Sequence, residues 1–284
     1  RNIKDFMLKG LYIVATPIGN LDDISNRAVK SFKNADLIIC ENPNHSIKLL
    51  SKLGIKKKLI SLHDHNEQKV IKLIEKNVKD QIITLISDAG SPLVSDPGYK
   101  LVKHFVENDI FVTTIPGPTS IVPALQLSTL PMNEFQFIGF APKSKKALDS
   151  YFKNIINTDL TSVFFTSSHR VIICLKALQG VLKDRKIAVC KEITKINERT
   201  FIGIPSKVIN EIENERKNIR GEFVVIVEGN KKKSKKNQII NSEIEKQISK
   251  LLEKFSLTDV VEIVHKFSYF GKKQIYKMAL KLKK

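Results

Sequence analysis

Two aspartates, Asp88 and Asp96, stand in a stretch punctuated by Gly90, Pro92, Pro97 and Gly98, within Ser-Asp-Ala-Gly-Ser-Pro-Leu-Val-Ser-Asp-Pro-Gly at residues 87–98. Two carboxylates in one loop favour a polar or cationic small molecule. The glycines allow main-chain groups to approach it closely. The same residue types also build ordinary solvated turns, so the segment alone leaves both readings open. Other groups capable of chemistry lie in Glu41-Asn42-Pro43-Asn44-His45, in His63-Asp64-His65-Asn66-Glu67 and in Lys191-Glu192. Two histidines flanking an aspartate favour a functional role there, whereas His104 and His265 fall in helical patterns and read as structural.

What must position these groups is a set of short apolar runs. Residues 11–14, 36–40, 59–62, 81–86 and 111–115 read as strands, each ending in a polar or Gly/Pro loop, with helical patterns between them. That alternation predicts a parallel sheet with crossover helices. Ligand crevices in such sheets lie at the carboxyl ends of the strands, where the loop at 87–98 falls. Residues 21–25 (Leu-Asp-Asp-Ile-Ser) predict a helix start with acids in its first turn. Further on, 135–140 alternates like a strand, 162–165, 186–190 and 223–227 read as three more, and 200–202 as an edge strand.

In this order the segments resemble the tetrapyrrole methylase superfamily, and within it the bacterial branch that acts on ribosomal RNA. The resemblance rests on Leu11-Tyr12-Ile13-Val14-Ala15-Thr16-Pro17-Ile18-Gly19-Asn20-Leu21, on His63-Asp64-His65-Asn66-Glu67 and on the loop at 87–98. Pro116-Gly117-Pro118, Ser168-His169-Arg170, Lys191-Glu192-Ile193-Thr194-Lys195 and Arg220-Gly221-Glu222 add to it. It covers residues 10–230 almost continuously and extends toward the C-terminus. It implies an α/β fold of two α/β domains, with a mostly parallel N-terminal sheet, a mixed C-terminal sheet and a small C-terminal helical module. It also implies S-adenosylmethionine as methyl donor, held in a cleft, and a cytidine ribose 2′-hydroxyl in the decoding region of 16S rRNA as acceptor. No G-x-G-x-x-G occurs in the chain, which argues against the common dinucleotide-type layouts.

Carried over residue by residue, the resemblance implies that Asp88, Ala89, Gly90 and Ser91 contact the donor's methionine part and ribose, with Asp96 in the same loop. Thr119, Ser120 and Ile121 continue that wall, and Phe164, Phe165 and Thr166 close it. Glu222 lies near the adenine, and Pro17 and Gly19 line the floor. Methyl transfer needs the acceptor oxygen in line with the sulfur–methyl bond, and a ribose hydroxyl needs a base or a neighbouring cation. The candidates at the reacting centre are Glu41, His63, Asp64, Lys191 and Glu192. Glu41 or Asp64 would take the proton, and Lys191 would stabilise the developing alkoxide or grip a phosphate. His65, His169, Arg170, Lys272 and Lys273 are candidate RNA contacts.

Two segments depart from the family pattern. Glu-Asp-Thr-Arg-His is here Glu41-Asn42-Pro43-Asn44-His45, which loses an acid and a guanidinium clamp that lysine cannot copy. An aromatic-Glu-Ser-Pro-His-Arg segment is here Phe165-Thr166-Ser167-Ser168-His169-Arg170, so a carboxylate has become a hydroxyl. Intact 88–90 and 116–118 segments favour an active methyltransferase. The altered 41–45 loop is what would favour a catalytically silent RNA-binding or ribosome-assembly protein on the same scaffold. Methylation of a corrin-type tetrapyrrole is a third reading, opposed by the basic tail and the 63–67 motif.

The 48 basic against 29 acidic residues give a net charge of +19. This favours a polyanionic partner through phosphate contacts, although an AT-rich genome inflates lysine equally well. Cys40, Cys174 and Cys190 lie in apolar runs without metal-ligand spacing and read as core thiols of a reducing compartment. No run reaches the length of a membrane span and no signal peptide is visible, so the expected location is the cytoplasm. The expected division is 10–118 and 119–229 as α/β domains, 230–238 as a basic linker, and 239–284 as a helix-turn-helix-like module. In that module Ser242 and Glu245 form a capping box, Thr258 caps the second helix, and the basic third helix is either an RNA-backbone contact or a solvated face. A homodimer is implied by the resemblance alone.

Overall fold

The structure is a computed structural model and describes residues 7–182, 184–215, 219–230, 242–268 and 270–283. The chain divides into two compact units. One runs to Phe152 and resumes over Thr161–Glu228; the other comprises Lys153–Leu160 and Gly229–Lys284.

The first unit holds two sheets. β1 (Gly10–Val14), β2 (Leu37–Cys40), β3 (Leu59–Ser61), β4 (Ile82–Ile86) and β5 (Val112–Ile115) form a wholly parallel sheet in the order β3-β2-β4-β1-β5. β2 and β4 are buried at every position, as strands covered on both faces must be. Alternation divides their side chains between two cores. Leu37, Ile39, Ile83 and Leu85 pack with α3 (Glu67–Ile74) and α4 (Tyr99–Glu107) through Val70, Ile71, Leu101 and Phe105. Ile38, Cys40, Ile82 and Ile86 pack with α1 (Asn26–Asn34) and α2 (Pro43–Lys52) through Ala28, Phe32 and Leu50.

The acids expected to open the first helix occupy a separate 3-10 turn, Leu21–Asp23, capped by the side chain of Asn20. α1 itself starts at Asn26, where the Ser25 hydroxyl accepts from the Ala28 N–H. Ser25 satisfies an orphan donor that Asp22 and Asp23 do not reach, so the cap falls later than charge alone predicted.

α5 (Ile121–Ser128) leads to the second sheet. β6 (Phe135–Phe140), β7 (Thr161–Ser167), β8 (Ile187–Lys191), β9 (Arg199–Gly203) and β10 (Glu222–Val227) are ordered β6-β7-β10-β8-β9. β6 and β7 are parallel and the remaining pairs antiparallel, so the sheet is mixed, with β9 as an edge. Val163, Ala188, Cys190, Val224 and Ile226 pack with Ala124 and Leu125 of α5. α6 (Lys145–Asn157), α7 (Val171–Leu182) and α8 (Pro205–Asn214) complete the α/β architecture.

In the second unit α9 (Ser242–Leu252), α10 (Leu257–Phe267) and α11 (Lys272–Leu282) bury Ile248, Val260, Val261, Phe270, Ile275 and Ala279. Ser256, and not Thr258, caps α10, accepting from the Asp259 N–H at 3.2 Å. Thr258 is already helical, and a cap must precede the first helical residue. The expected linker lies outside the described residues except for Asn230, as does the Ser242 side chain of the expected capping box. Among the described residues no helix is long and apolar enough to cross a membrane.

Phe32 is fully buried between α1 and the first sheet. Phe32→Ala is expected to cost about 3–5 kcal/mol of unfolding free energy, measured by chemical denaturation.

Candidate active site

The loops after β1, β4 and β5 are stitched together at one end of the first sheet. Thr16 and Gly90 exchange backbone hydrogen bonds of 2.9 and 3.0 Å, and the Ser91 hydroxyl donates to the Pro118 carbonyl at 3.3 Å. Gly90 is left-handed at φ 79°, and Leu93 and Ser95 share that region without the excuse of being glycine. Such a conformation persists only where the surroundings over-determine it.

The end of the same loop is pinned by Glu67. Its buried carboxylate accepts from the Gly98 N–H at 2.8 Å and the Lys100 N–H at 3.0 Å. It thereby serves the N-terminus of α4, whose own cap residue, Gly98, has no side chain to do so. Gly98 is at φ 121°, and a Cβ there would lie 2.9 Å from Leu93 and 3.0 Å from Leu85. Asn66 performs the matching task next door, accepting from the His63 N–H at 2.8 Å and donating to the Ser61 carbonyl at 2.9 Å. The 63–67 motif therefore separates into His63, Asp64 and His65, which are exposed, and two residues that brace them.

Four carboxylates gather at the ends of β2, β3 and β4. Partial desolvation, and then repulsion from Asp88, Asp96 and Asp64, raise the Glu41 carboxyl above the ordinary range. Burial raises Asp96 as well, opposed by a hydrogen bond from Ser87 and assisted by Asp88. Asp88 accepts from the Asn42 N–H at 3.2 Å. Asn42 in turn caps α2, its side-chain oxygen accepting from the N–H groups of Asn44 and His45. The altered 41–45 segment is thus a capped helix start with Pro43 in the first turn, and its neutral Asn42 adds no fifth negative charge to the group.

A cavity of about 380 Å³ lies between these loops and the second sheet. Asp88, Ala89, Gly90, Ser91, Asp96, Thr119, Ser120 and Ile121 line one side; Phe165, Thr166 and Glu222 line the other. The structure thus brings together most residues proposed for a donor site. Phe164 is an exception. It is fully buried against Tyr151 and Phe152, because adjacent residues of a strand point to opposite faces. Pro17 and Gly19 do not line the cavity either; Gly19 faces Lys195 and Thr194, and the Asn20 N–H donates to the Thr194 hydroxyl at 3.2 Å.

Lys191 and Glu192 also lie elsewhere. They border a second cavity of about 590 Å³ together with Arg199, Glu215 and Arg220. Lys191 is buried 3.6 Å from Glu215. Glu192, at φ 52°, folds over Gly221 and accepts from the Glu222 N–H and the Lys195 ammonium, each at 2.9 Å. Burial raises its carboxyl, but these two donors outweigh that and leave it below the ordinary range. Glu192 is held as a fixed anion by the 192–195 turn.

Of the RNA candidates, His65 and His169 are exposed, and Arg170 donates to the Pro142 carbonyl at 2.9 Å. In the second unit Lys272 pairs with Glu262 at 2.9 Å, and Lys273 is exposed. The cysteines are buried and free, and burial pushes the Cys190 thiol up to about 11. Among the described residues no group of His, Cys, Asp and Glu is arranged to hold a metal ion. Ile18, Val94, Phe140 and Ile193 line the first cavity without having been anticipated, since an apolar wall carries no signal that separates it from core.

A chain that builds a parallel sheet and a mixed sheet around such a cavity matches the sequence profile of the Tetrapyrrole (Corrin/Porphyrin) Methylases over residues 10–208. Solved structures share the fold. Cobalt precorrin-4 methyltransferase superposes with a TM-score of 0.56 at 14% identity over 77% of this chain and 94% of that one. Diphthine synthase gives 0.57 at 17% identity over 77% and 89%. The protein called ribosomal RNA small subunit methyltransferase I in Haemophilus influenzae is 42% identical over 95% of this chain and 96% of its own. Its Rickettsia prowazekii counterpart is 38% identical over 96% and 97%. The chain belongs to the ribosomal RNA small subunit methyltransferase I branch of the tetrapyrrole methylase family.

Replacing Glu67 by Gln would turn one acceptor into a donor that faces a buried N–H. The expected cost is about 1–3 kcal/mol, with faster hydrogen exchange at Gly98 and Lys100 and unchanged exchange in β10, read by mass spectrometry.

Proposed function

We propose that the protein methylates the ribose 2′-hydroxyl of a cytidine in the decoding region of 16S rRNA, with S-adenosylmethionine as donor. The observation that carries this reading is the near-full-length likeness to small subunit rRNA methyltransferases, in a chain whose cavity is walled by 88–91 and 119–121. The lining suits the donor's chemistry. Asp88 and Asp96 offer carboxylates to cationic and hydroxyl groups, Ser91, Thr119 and Ser120 offer hydroxyls, and Ile121, Phe165 and Val224 offer apolar surface to a purine. When bound, S-adenosylmethionine supplies a methyl group on a positively charged sulfur.

The chain's own part is to orient the acceptor and take up its proton. Glu41 is the base in this reading, with Asp64 the other candidate. A carboxylate partly desolvated and crowded by Asp88, Asp96 and Asp64 has a raised proton affinity, which suits general-base work near neutral pH. His63 and His65 stand exposed on the adjoining loop, where they can meet the RNA backbone. Such a substrate sets the reaction in the cytoplasm, and the homodimer implied by the family is tested by light scattering.

The deciding assay is transfer of labelled methyl to small ribosomal subunits that lack decoding-region methylation. Label on a ribose 2′-oxygen, lost in Asp88→Ala, is the expected result. Binding of donor and RNA without transfer would instead mark a silent RNA-binding protein. Because the base acts deprotonated and its proton affinity is raised, kcat/KM should climb with pH along a limb lying above the ordinary carboxylate range. In Glu41→Gln that limb should vanish and the rate fall by about 100-fold or more. An unchanged limb would remove Glu41 as the base.

A further inference from the structure

β6 contains a break in its pairing that the site described so far does not use. Phe137 is opposite Val163 and Phe140 opposite Phe165, so three residues of β6 are matched to two steps of β7. Gly139 supplies the extra residue in the left-handed region, at φ 72°, with no neighbour closer than 3.8 Å to a Cβ built there. In an unbroken strand Phe137 and Phe140 would point to opposite faces. The bulge turns both rings onto Phe165, at centroid distances of 4.8 and 5.2 Å. The carbonyls of Ile138 and Gly139 are held by the Tyr151 hydroxyl, which donates at 3.2 and 3.4 Å. Bulges beside active sites commonly re-aim a side chain, and here the result is an aromatic ring at a cavity rim. Phe140 lines the cavity yet is 62% exposed.

The segment that follows is basic. Lys143, Lys145 and Lys146 are exposed and make no ion pair among the described residues. Arg170 ties this segment to the His169 turn through the Pro142 carbonyl. An exposed aromatic ring followed by unneutralised cations is the combination that single-stranded nucleic acids recognise, bases stacking on the ring and phosphates on the charges. A purely apolar partner would have no use for the lysines.

Resting on the functional reading above, the geometry points to Phe140 as a stacking platform for a base of the acceptor RNA. Lys143, Lys145 and Lys146 carry the adjoining phosphates. Tyr151 is a positioning residue that holds the bulge.

The test is fluorescence anisotropy with a short labelled single-stranded RNA, alongside calorimetric binding of S-adenosylhomocysteine. Phe140→Leu is expected to weaken RNA binding about tenfold at constant S-adenosylhomocysteine affinity, and Phe140→Trp to restore it. Replacing the three lysines by Gln should flatten the dependence of log K on log salt by about two units. Tyr151→Phe should weaken RNA in the same direction as Phe140→Leu, with S-adenosylhomocysteine affinity again constant. Wild-type RNA affinity in Phe140→Leu would overturn the inference while leaving the functional reading standing. Loss of S-adenosylhomocysteine affinity in that variant would overturn it by assigning the ring to the donor. A wild-type protein that binds S-adenosylhomocysteine and no RNA would overturn both.

Discussion

The carboxylate of Glu67 is buried with both oxygens on backbone N–H groups at the start of α4. A buried carboxylate without partners would be costly, and so would two unsatisfied helix N–H groups beneath the end of a loop. Each solves the other's problem. Glycine suits position 98, because its φ of 121° is one that other residues rarely adopt and a Cβ there would press on the side chains of Leu85 and Leu93. The loop at 87–98 is thus fixed at its far end by Glu67, at its near end by the exchange with Thr16, and in between by Ser91 on Pro118. That tethering lets Leu93 and Ser95 remain in left-handed conformations and keeps Asp88 and Asp96 where the cavity needs them.

The second constraint is electrostatic. Parallel strands bring their carboxyl ends to one edge, so Glu41, Asp64, Asp88 and Asp96 are close because β2, β3 and β4 are neighbours. Partial desolvation, with repulsion from the neighbouring acids added to it, raises the proton affinity of Glu41, and such crowding disfavours any further acid. Asn42 caps α2 as an aspartate would, without adding charge. The 41–45 segment is therefore a well-capped helix start that adds no acid beyond Glu41 to the crowded group. At Thr166 the hydroxyl is buried 3.6 Å from the sulfur of Cys174, so that departure is absorbed by the core of the second sheet.

Across the cavity the second sheet contributes shape more than charge. Its aromatic ring at Phe165, packed against Phe137, offers an apolar surface opposite the carboxylates. Glu192, pinned between Glu222 and Lys195, stands outside that cavity as a structural anion on the border of the second one.

The strands and their loops were legible from the chain alone. Apolar runs such as Ile82–Ile86 are buried on both faces and need no partner to be recognised. Family likeness singled out Asp88 to Ser91, and those four residues line the cavity. Helix starts were less legible: Ser25 and Ser256 cap where acids or a neighbouring threonine had suggested otherwise, because a cap depends on where the backbone leaves the extended region. What only the tertiary structure decided was direction. Phe164 and Phe165 are identical in sequence terms, yet one is core and the other faces the cavity. Phe140 reaches that cavity only because Gly139 breaks the pleat, and Lys191 and Glu192 open onto a different cavity altogether. Residue type sets what a side chain can do, whereas the register of a strand against its neighbours sets where it points, and that register is a property of two segments far apart in the chain.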